Sequence, residues 1–277
     1  MRVALLQMTS SDDPAANLPV TRAMLREAVA GGAEFVLTPE VTNCISASRT
    51  RQQAVLQHED VDQTLAALRA DARDLGVWLL IGSLALKTGD ADGRFANRSF
   101  LIAPDGEIEA RYDKIHMFDV QVSETETYRE SAGYRSGTQA VAVYTGFAKV
   151  GMTVCYDVRF PYLYRALAQA GAGILTVPSA FSPVTGAAHW EPLLRARAIE
   201  TGCFVLAPAQ TGTHVARAGK PRQTYGRSMA ISPWGEVLAD AGTEPGITFV
   251  DLDLSDVAKA RSRIPSLTHD REFDAPL

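Results

Sequence analysis

Lys149-Val150-Gly151-Met152-Thr153-Val154-Cys155-Tyr156-Asp157-Val158-Arg159-Phe160-Pro161 is the stretch from which the chain is best read. Val150, Met152 and Val154 alternate with Gly151, Thr153 and Cys155, so a strand puts the first three on one face and the small trio on the other. The small face lets another element approach closely. Pro161 then opens a helix running from Tyr162 to Ala170, a position where its missing N–H costs nothing, and Gly171 closes it. Cys155 therefore sits at the carboxyl end of a buried strand, on the turn into a helix. Open α/β sheets bind ligands there, and a nucleophile elbow presents its reactive atom there. A buried structural cysteine is the other reading of the same residue.

Upstream, Val3 to Met8 reads as a buried strand, and Pro14 starts a helix that Gly31-Gly32 ends. Phe35-Val36-Leu37 is a second strand, with Thr38-Pro39-Glu40 at its carboxyl end. A helix from about Asp60 to Leu75 and a strand from Val77 to Gly82 follow. Phe95 to Ala103 is a strand that turns through Pro104-Asp105-Gly106 and returns through Tyr112. Asp113 to Gly137 shows no clear periodicity, which in a compact domain marks a functional or mobile segment. Downstream of Pro161, the pattern predicts a strand at Ile174 to Val177 ending in Pro178-Ser179, a helix from His189 to Thr201 and a strand at Cys203 to Ala207. A polar loop from Gln210 to Thr224 comes next. Strands at Arg227 to Ser232, Glu236 to Ala239 and Ile247 to Leu252 complete the chain, with Ser255 capping a short helix.

The two halves repeat. Asn97 to Glu107 aligns without gaps on Gly226 to Glu236, with Arg, Ser, Ile, Pro, Gly and Glu coinciding. The strands ending at Pro39 and Pro178 also hold matching places. Two similar β-rich halves with helices on one side of each pack most naturally sheet on sheet, as a four-layer α-β-β-α sandwich. Matching hairpin turn chemistry alone is the alternative. A single domain over 1–277 is expected, with a core over 1–255 and a C-terminal tail over 256–277.

The 277 residues are 46% hydrophobic and 21% charged, with a net charge of −5. Without basic blocks, neither nucleic acid nor an anionic membrane is an expected partner. Cys44, Cys155 and Cys203 are an odd, widely spaced set with no Cys-x-x-Cys, which points to a reducing compartment and no zinc site. The N-terminus runs straight into a strand rather than a signal peptide, and no apolar run spans a membrane. A cytoplasmic protein is expected, as a homodimer or higher homo-oligomer.

A cysteine nucleophile needs a base, and the carbon it attacks needs an oxyanion stabiliser. None of His58, His116, His189, His214 and His269 has a strand-end context matching Cys155. Strand-end Glu40 is the better base if burial raises the carboxyl pKa while a nearby cation lowers the thiol's. A charge favouring a helix N-terminus is its alternative role. Lys114, just after a strand in Tyr112-Asp113-Lys114-Ile115-His116, reads either as an oxyanion donor or as a solvated lysine.

Thr38-Pro39-Glu40, Tyr112-Asp113-Lys114-Ile115-His116 and Val154 to Pro161, in this order and each after a strand, closely resemble the nitrilase (carbon–nitrogen hydrolase) superfamily, over nearly the whole chain. The resemblance implies a Glu-Lys-Cys triad on an α-β-β-α sandwich. Glu40 would be the general base, Lys114 the oxyanion stabiliser and Cys155 the nucleophile, with the Tyr156 N–H completing the oxyanion hole. It also implies a second active-site glutamate in Glu130-Ser131, against a solvated acidic loop as the alternative. No metal or organic cofactor is implied. The stretches Pro178-Ser179-Ala180-Phe181, Thr185 to Glu191 and Leu194 to Thr201 are similar to the branch holding deaminated glutathione amidase and omega-amidase, and Ala209 to Gly212, Tyr225 to Met229 and Pro233 to Val237 lean toward the former. The substrate partner is then a small, carboxylate-bearing amide, with Tyr156, Arg159 and Ser179 as substrate-binding residues. Arg159 suits a carboxylate through its guanidinium fork, or else makes a fold-stabilising ion pair. Two departures stand out: Val122 to Gly137 is acidic, and Arg227 replaces an expected histidine. A nitrilase acting on nitriles and a partner-binding scaffold on the same fold are the rival functions.

Overall fold

The computed structural model describes residues 1–274 apart from 123 and 125. Residues 123 and 125 of the acidic stretch, and the last three of the expected tail, lie outside the described residues. The first half carries β1 (Arg2–Gln7), α1 (Pro14–Ala30), β2 (Phe35–Leu37), α2 (Arg49–Val55), α3 (Gln63–Leu75), β3 (Trp78–Lys87), β4 (Phe95–Ile102) and β5 (Ile108–Asp113). A short ribbon, β6 (Asp119–Gln121) with β7 (Thr127–Arg129), links it to the second half. There follow β8 (Val141–Tyr144), β9 (Lys149–Met152), α4 (Pro161–Gln169), β10 (Ile174–Thr176), α5 (Pro183–Thr201) and β11 (Phe204–Ala207). The chain ends with β12 (Thr211–His214), β13 (Arg222–Tyr225), β14 (Met229–Ile231), β15 (Val237–Asp240), β16 (Gly246–Asp251) and α6 (Ser255–Arg263).

Two six-stranded sheets form, in the orders β16-β1-β2-β3-β4-β5 and β8-β9-β10-β11-β14-β15. Each has an antiparallel edge strand, three parallel strands and an antiparallel pair, in the same sequence of steps. The repeat extends to the turns. Ala103 N–H donates to Glu107 O and Gly106 N–H to Ala103 O, both at 2.9 Å; Ser232 to Glu236 and Gly235 to Ser232 repeat both bonds at 2.9 Å. Gly106 and Gly235 occupy positive φ there, at 84° and 89°, which explains why both halves place glycine at that point.

Strand alternation builds the layers. Val3 and Leu5 face the second sheet with Phe35, Leu37, Leu80 and Leu101, in one cluster with Val150 and Met152. Ala4 and Leu6 face the other way, onto Leu25 of α1 and Leu68 of α3. On the second sheet the small face of β9 lies under α4. A side chain at Gly151 would meet Leu167 and Ala172, and Thr153 Oγ1 lies 2.6 Å from Tyr164 Oη. The fold is the α-β-β-α sandwich.

Several boundaries differ from the sequence reading. The helix expected to begin at His189 begins at Pro183, because Gly186 and Pro192 lie inside it. Gly186 is there for space: a Cβ would sit 2.3 Å from the Tyr225 ring. The polar loop before Thr224 is the hairpin of β12 and β13. Helix α3 starts later than expected, with Asp62 as its cap accepting from Leu65 N–H at 2.8 Å. The tail is docked: the Arg261 guanidinium donates to Ala172 O at 2.7 Å and to Thr201 O at 3.1 Å.

Candidate active site

Glu40, Lys114 and Cys155 follow β2, β5 and β9, and the two sheets bring these three strand ends together. All three side chains are buried: Lys114 is 2% exposed, Glu40 4% and Cys155 7%. Lys114 Nζ donates to Glu40 Oε1 at 3.0 Å and to both Glu130 oxygens, at 2.9 and 2.8 Å. Glu130 is thus drawn into the site from the short turn after β7, and Phe118 N–H holds its Oε2 at 2.6 Å. Glu40 Oε1 also accepts from Asn97 Nδ2 at 2.8 Å, and its Oε2 accepts from Ala180 N–H at 2.8 Å.

Backbone geometry aims these groups. Cys155 has φ = 52°, a left-handed conformation in which a non-glycine residue is held under strain. Its N–H donates to Pro178 O at 3.0 Å. The following residues form a short 3-10 turn over Cys155–Arg159. Lys114 is pinned on both sides, its N–H donating to Asn97 O at 3.0 Å and its carbonyl accepting from Gly137 N–H at 2.8 Å. Asp157, fully buried, ties the lysine loop to the elbow. Its carboxylate accepts from Val154 N–H at 2.8 Å, Tyr112 Oη at 2.7 Å and His116 N–H at 3.0 Å.

Gly82 shows how little room the junction leaves. A Cβ there would fall 2.0 Å from Thr38 O, 2.6 Å from Pro39 O and 2.5 Å from Pro178 Cβ. Those atoms belong to the segments that position Glu40 and Cys155. Gly82→Ala should therefore separate the two halves of the site. We expect a stability loss of about 1–3 kcal/mol or more from overpacking, read by chemical denaturation, together with a disproportionate fall in turnover. Wild-type activity in a folded Gly82→Ala protein would contradict this account.

The charges are set by opposing effects. Burial pushes the Glu40 carboxyl up, but Lys114 and then Arg222, with hydrogen bonds from Cys155 and Lys114, outweigh it and hold Glu40 below the usual carboxylate range. Burial pushes Lys114 down, but Glu130 and Glu40 lift it well above an ordinary lysine. The Cys155 thiol is pushed up, first by burial and then by the Glu40 charge, with Lys114 opposing. The resting site is therefore a carboxylate, an ammonium and a neutral thiol. Both shifts run opposite to those the sequence suggests for Glu40 and Cys155: the Lys114 ammonium touches the carboxylate and holds it low, while burial and the Glu40 charge raise the thiol.

These groups line a cavity of about 380 Å³, together with residues that include Tyr128, Tyr134, Phe181 and Arg222. Tyr156 lines it. Ser179 does not: it is fully buried, and its hydroxyl donates to Val177 O at 3.0 Å, whereas its neighbours Ala180, Phe181 and Ser182 line the cavity. Arg159 is half-buried outside the lining. Its guanidinium lies 5.8 and 5.5 Å from the centres of the lining rings of Tyr156 and Phe181, with Nη1 3.3 Å from His189 Nδ1. Among the described residues it has no carboxylate within 4.0 Å, so the alternative ion pair is not formed. Arg227, the departure from the family pattern, pairs with Asp240 away from the cavity. Among the described residues no group of three or more His, Cys, Asp or Glu side chains is placed to hold a metal ion.

Sequence reasoning passed over Asn97, Asp157 and Arg222. Asn97 had a signal, since the internal repeat puts Gly226 at its place and the asparagine is peculiar to the first half. Asp157 was within the quoted elbow. Arg222 lay in what read as a polar loop.

A buried thiol, carboxylate and ammonium at the joined ends of two doubled α/β sheets define a cysteine hydrolase of the α-β-β-α class. The carbon–nitrogen hydrolase family model matches residues 2–262. Deaminated glutathione amidase from a Synechocystis species is 40% identical over 268 residues, 96% of each chain. The crystal structure of the Caenorhabditis elegans NitFhit protein matches with a TM-score of 0.88 and 36% identity, over 98% of this chain and 65% of that one. The amidase from Nesterenkonia sp. AN1 matches at 29% identity and a TM-score of 0.77, over 96% of this chain and 98% of that one, in a glutamate-to-glutamine mutant structure recording Michael addition of acrylamide at its active site cysteine. The chain belongs to the carbon–nitrogen hydrolase family, within the nitrilase superfamily. It is an amidase of that family, acting on C–N bonds other than peptide bonds.

Proposed function

We propose that this amidase cleaves deaminated glutathione, and that Glu40, Lys114 and Cys155 are its catalytic groups. The observation that carries the chemistry is the Lys114 ammonium held between Glu40 and Glu130 beside the Cys155 thiol. The thiol is too weak an acid to ionise unaided, and Glu40 is ionised, so proton transfer to Glu40 accompanies attack of sulfur on the amide carbon. The developing oxyanion takes donors from Lys114 and the Tyr156 N–H. As the C–N bond breaks, Glu40 returns the proton to the leaving nitrogen, and a thioester remains on Cys155. Water then attacks the thioester, Glu40 again accepting a proton, and the carboxylic acid leaves as the thiol is reprotonated. Glu130 holds Lys114 in place and contributes the second negative charge that keeps it protonated.

The substrate is supported by the 40% identical relative and by the sequence stretches downstream of Pro178. Arg159, beside two rings of the cavity wall, is in this reading a carboxylate contact at the acyl end. A cytoplasmic homodimer or higher oligomer completes the reading; three free, buried cysteines fit a reducing compartment. The test is a substrate panel of deaminated glutathione, an omega-amide of a keto-dicarboxylic acid, a neutral aliphatic amide and a small nitrile. Deaminated glutathione should give the highest kcat/KM. Preference for the keto-acid amide would make the protein an omega-amidase, and preference for the nitrile a nitrilase.

A further inference from the structure

We propose that Arg222 anchors an anionic group on the amine half of the substrate, the half that leaves; this rests on the amidase reading above and extends it to substrate selection. Besides Lys114, the cavity is lined by three arginines, Arg49, Arg129 and Arg222. Arg49 is committed to the protein: its Nη1 donates to Gly133 O at 2.8 Å, its Nη2 to Gly93 O at 2.6 Å, and it stacks 4.9 Å from the centre of the Phe95 ring. Arg129 is exposed. Arg222 is neither exposed nor fully engaged by the protein. It is half-buried on β13, with Nη2 donating to Ala180 O at 2.6 Å and the guanidinium 5.7 Å from the centre of the Tyr128 ring. Its Nε is shielded from solvent and has no hydrogen-bond partner among the described residues. Nor does any carboxylate among the described residues come within 4.0 Å of it. A cation that lines the cavity, with its Nε unpaired and no carboxylate of the described protein beside it, suits a substrate carboxylate, which a guanidinium binds by charge-assisted bonds.

Its position says which end of the substrate it meets. Ala180 joins Arg222 to the general base, since its carbonyl takes Arg222 Nη2 and its N–H holds Glu40 Oε2. Glu40 delivers a proton to the leaving nitrogen, so the amine half departs on the Glu40 side, where Arg222 stands. Cys155 keeps the acyl half. The substrate class is therefore amides whose amine component ends in a carboxylate, such as a dipeptide amine.

The experiment compares deaminated glutathione with its derivative in which the glycine carboxylate is a carboxamide, in the parent enzyme, Arg222→Gln and Arg222→Lys. The parent should prefer the anionic compound. In Arg222→Gln that preference should shrink roughly 10- to 100-fold, mainly through KM, the scale of a hydrogen bond to a charged group. Arg222→Lys should restore part of it. Equal losses on both compounds would show that Arg222 acts through Ala180 and Glu40 and would overturn the proposal, as would an unchanged preference. If the parent hydrolyses neither compound, the substrate reading fails by itself. Arg222 is then tested with cysteinylglycine and its carboxamide as competitive inhibitors of whichever panel amide is hydrolysed. Stronger inhibition by the anion, lost in Arg222→Gln, supports the anchor; equal inhibition in the parent overturns it.

Discussion

Cys155→Ala is expected to abolish turnover, by roughly 10⁶-fold as when the nucleophile of a covalent hydrolase is removed, while leaving a folded protein. The fold should survive because the substitution removes only a sulfur from a position where the backbone, not the thiol, makes the structural bonds. Cys155 N–H donates to Pro178 O whatever side chain it carries. Alanine at φ = 52° meets the same strain cysteine already bears. The internal controls are the other two thiols. Cys203 is buried away from the site, its Sγ donating to Ala172 O at 3.2 Å, and Cys44, which packs with Ile45 and Phe95, lines the cavity without touching the catalytic group. Cys44→Ala and Cys203→Ala should cost stability and keep activity. Activity would be followed by carboxylate release, and trapping of a thioester on the parent protein by mass spectrometry would complete the case. Residual turnover in Cys155→Ala within tenfold of the parent would remove the thioester from the mechanism.

What the sequence made legible follows from where information is local. The elbow could be read because a strand pattern, a cysteine and a helix-opening proline lie within thirteen residues. The doubled architecture could be read because Pro104-Asp105-Gly106-Glu107 and Pro233-Trp234-Gly235-Glu236 impose the same turn, and the paired sheets confirm it strand for strand. The charge state of the site was not legible. It depends on Lys114 Nζ sitting 3.0 Å from Glu40, 74 residues away in sequence, and on which partner the cation touches. Arg222 was invisible for a related reason. Its hairpin strands are four residues each and polar, and their value lies in a contact with Ala180 that no local pattern encodes. Ser179 differs in the opposite way: a strand-end serine looks available, but the segment after β11 bridges its backbone at Ala209 and Val177 takes its hydroxyl.

Lys114→Ala should lose at least about 10²–10³ in turnover, the effect of removing one oxyanion donor, and more than that from the charges left behind. Without the ammonium, the buried Glu40 carboxylate and the half-buried Glu130 carboxylate face one another. Burial, which already pushes Glu40 up, would then be opposed mainly by Arg222. The folded-state Glu40 carboxyl, now held low, should rise. A carboxyl depressed in the folded state contributes stability that is present above its unfolded pKa and lost as pH falls through the folded one. In Lys114→Ala that contribution disappears, and the unfolding free energy near neutrality should drop by about 3–5 kcal/mol, the cost of stranding a buried charge. Two readouts separate this from simple loss of a donor. The acid limb of the kcat/KM profile should move to higher pH, because Glu40 must be ionised to take the thiol proton. Melting temperatures of parent and variant should also converge as pH is lowered toward the carboxylate range. Lys114→Arg tests the geometry. It keeps the charge, so Glu40 should stay ionised and the acid limb stay in place, but a planar fork cannot occupy the point between two carboxylates that the compact ammonium fills, and turnover should remain low. An arginine variant with near-parental turnover would return Lys114 to the role of a charge balancer and leave the oxyanion to the backbone.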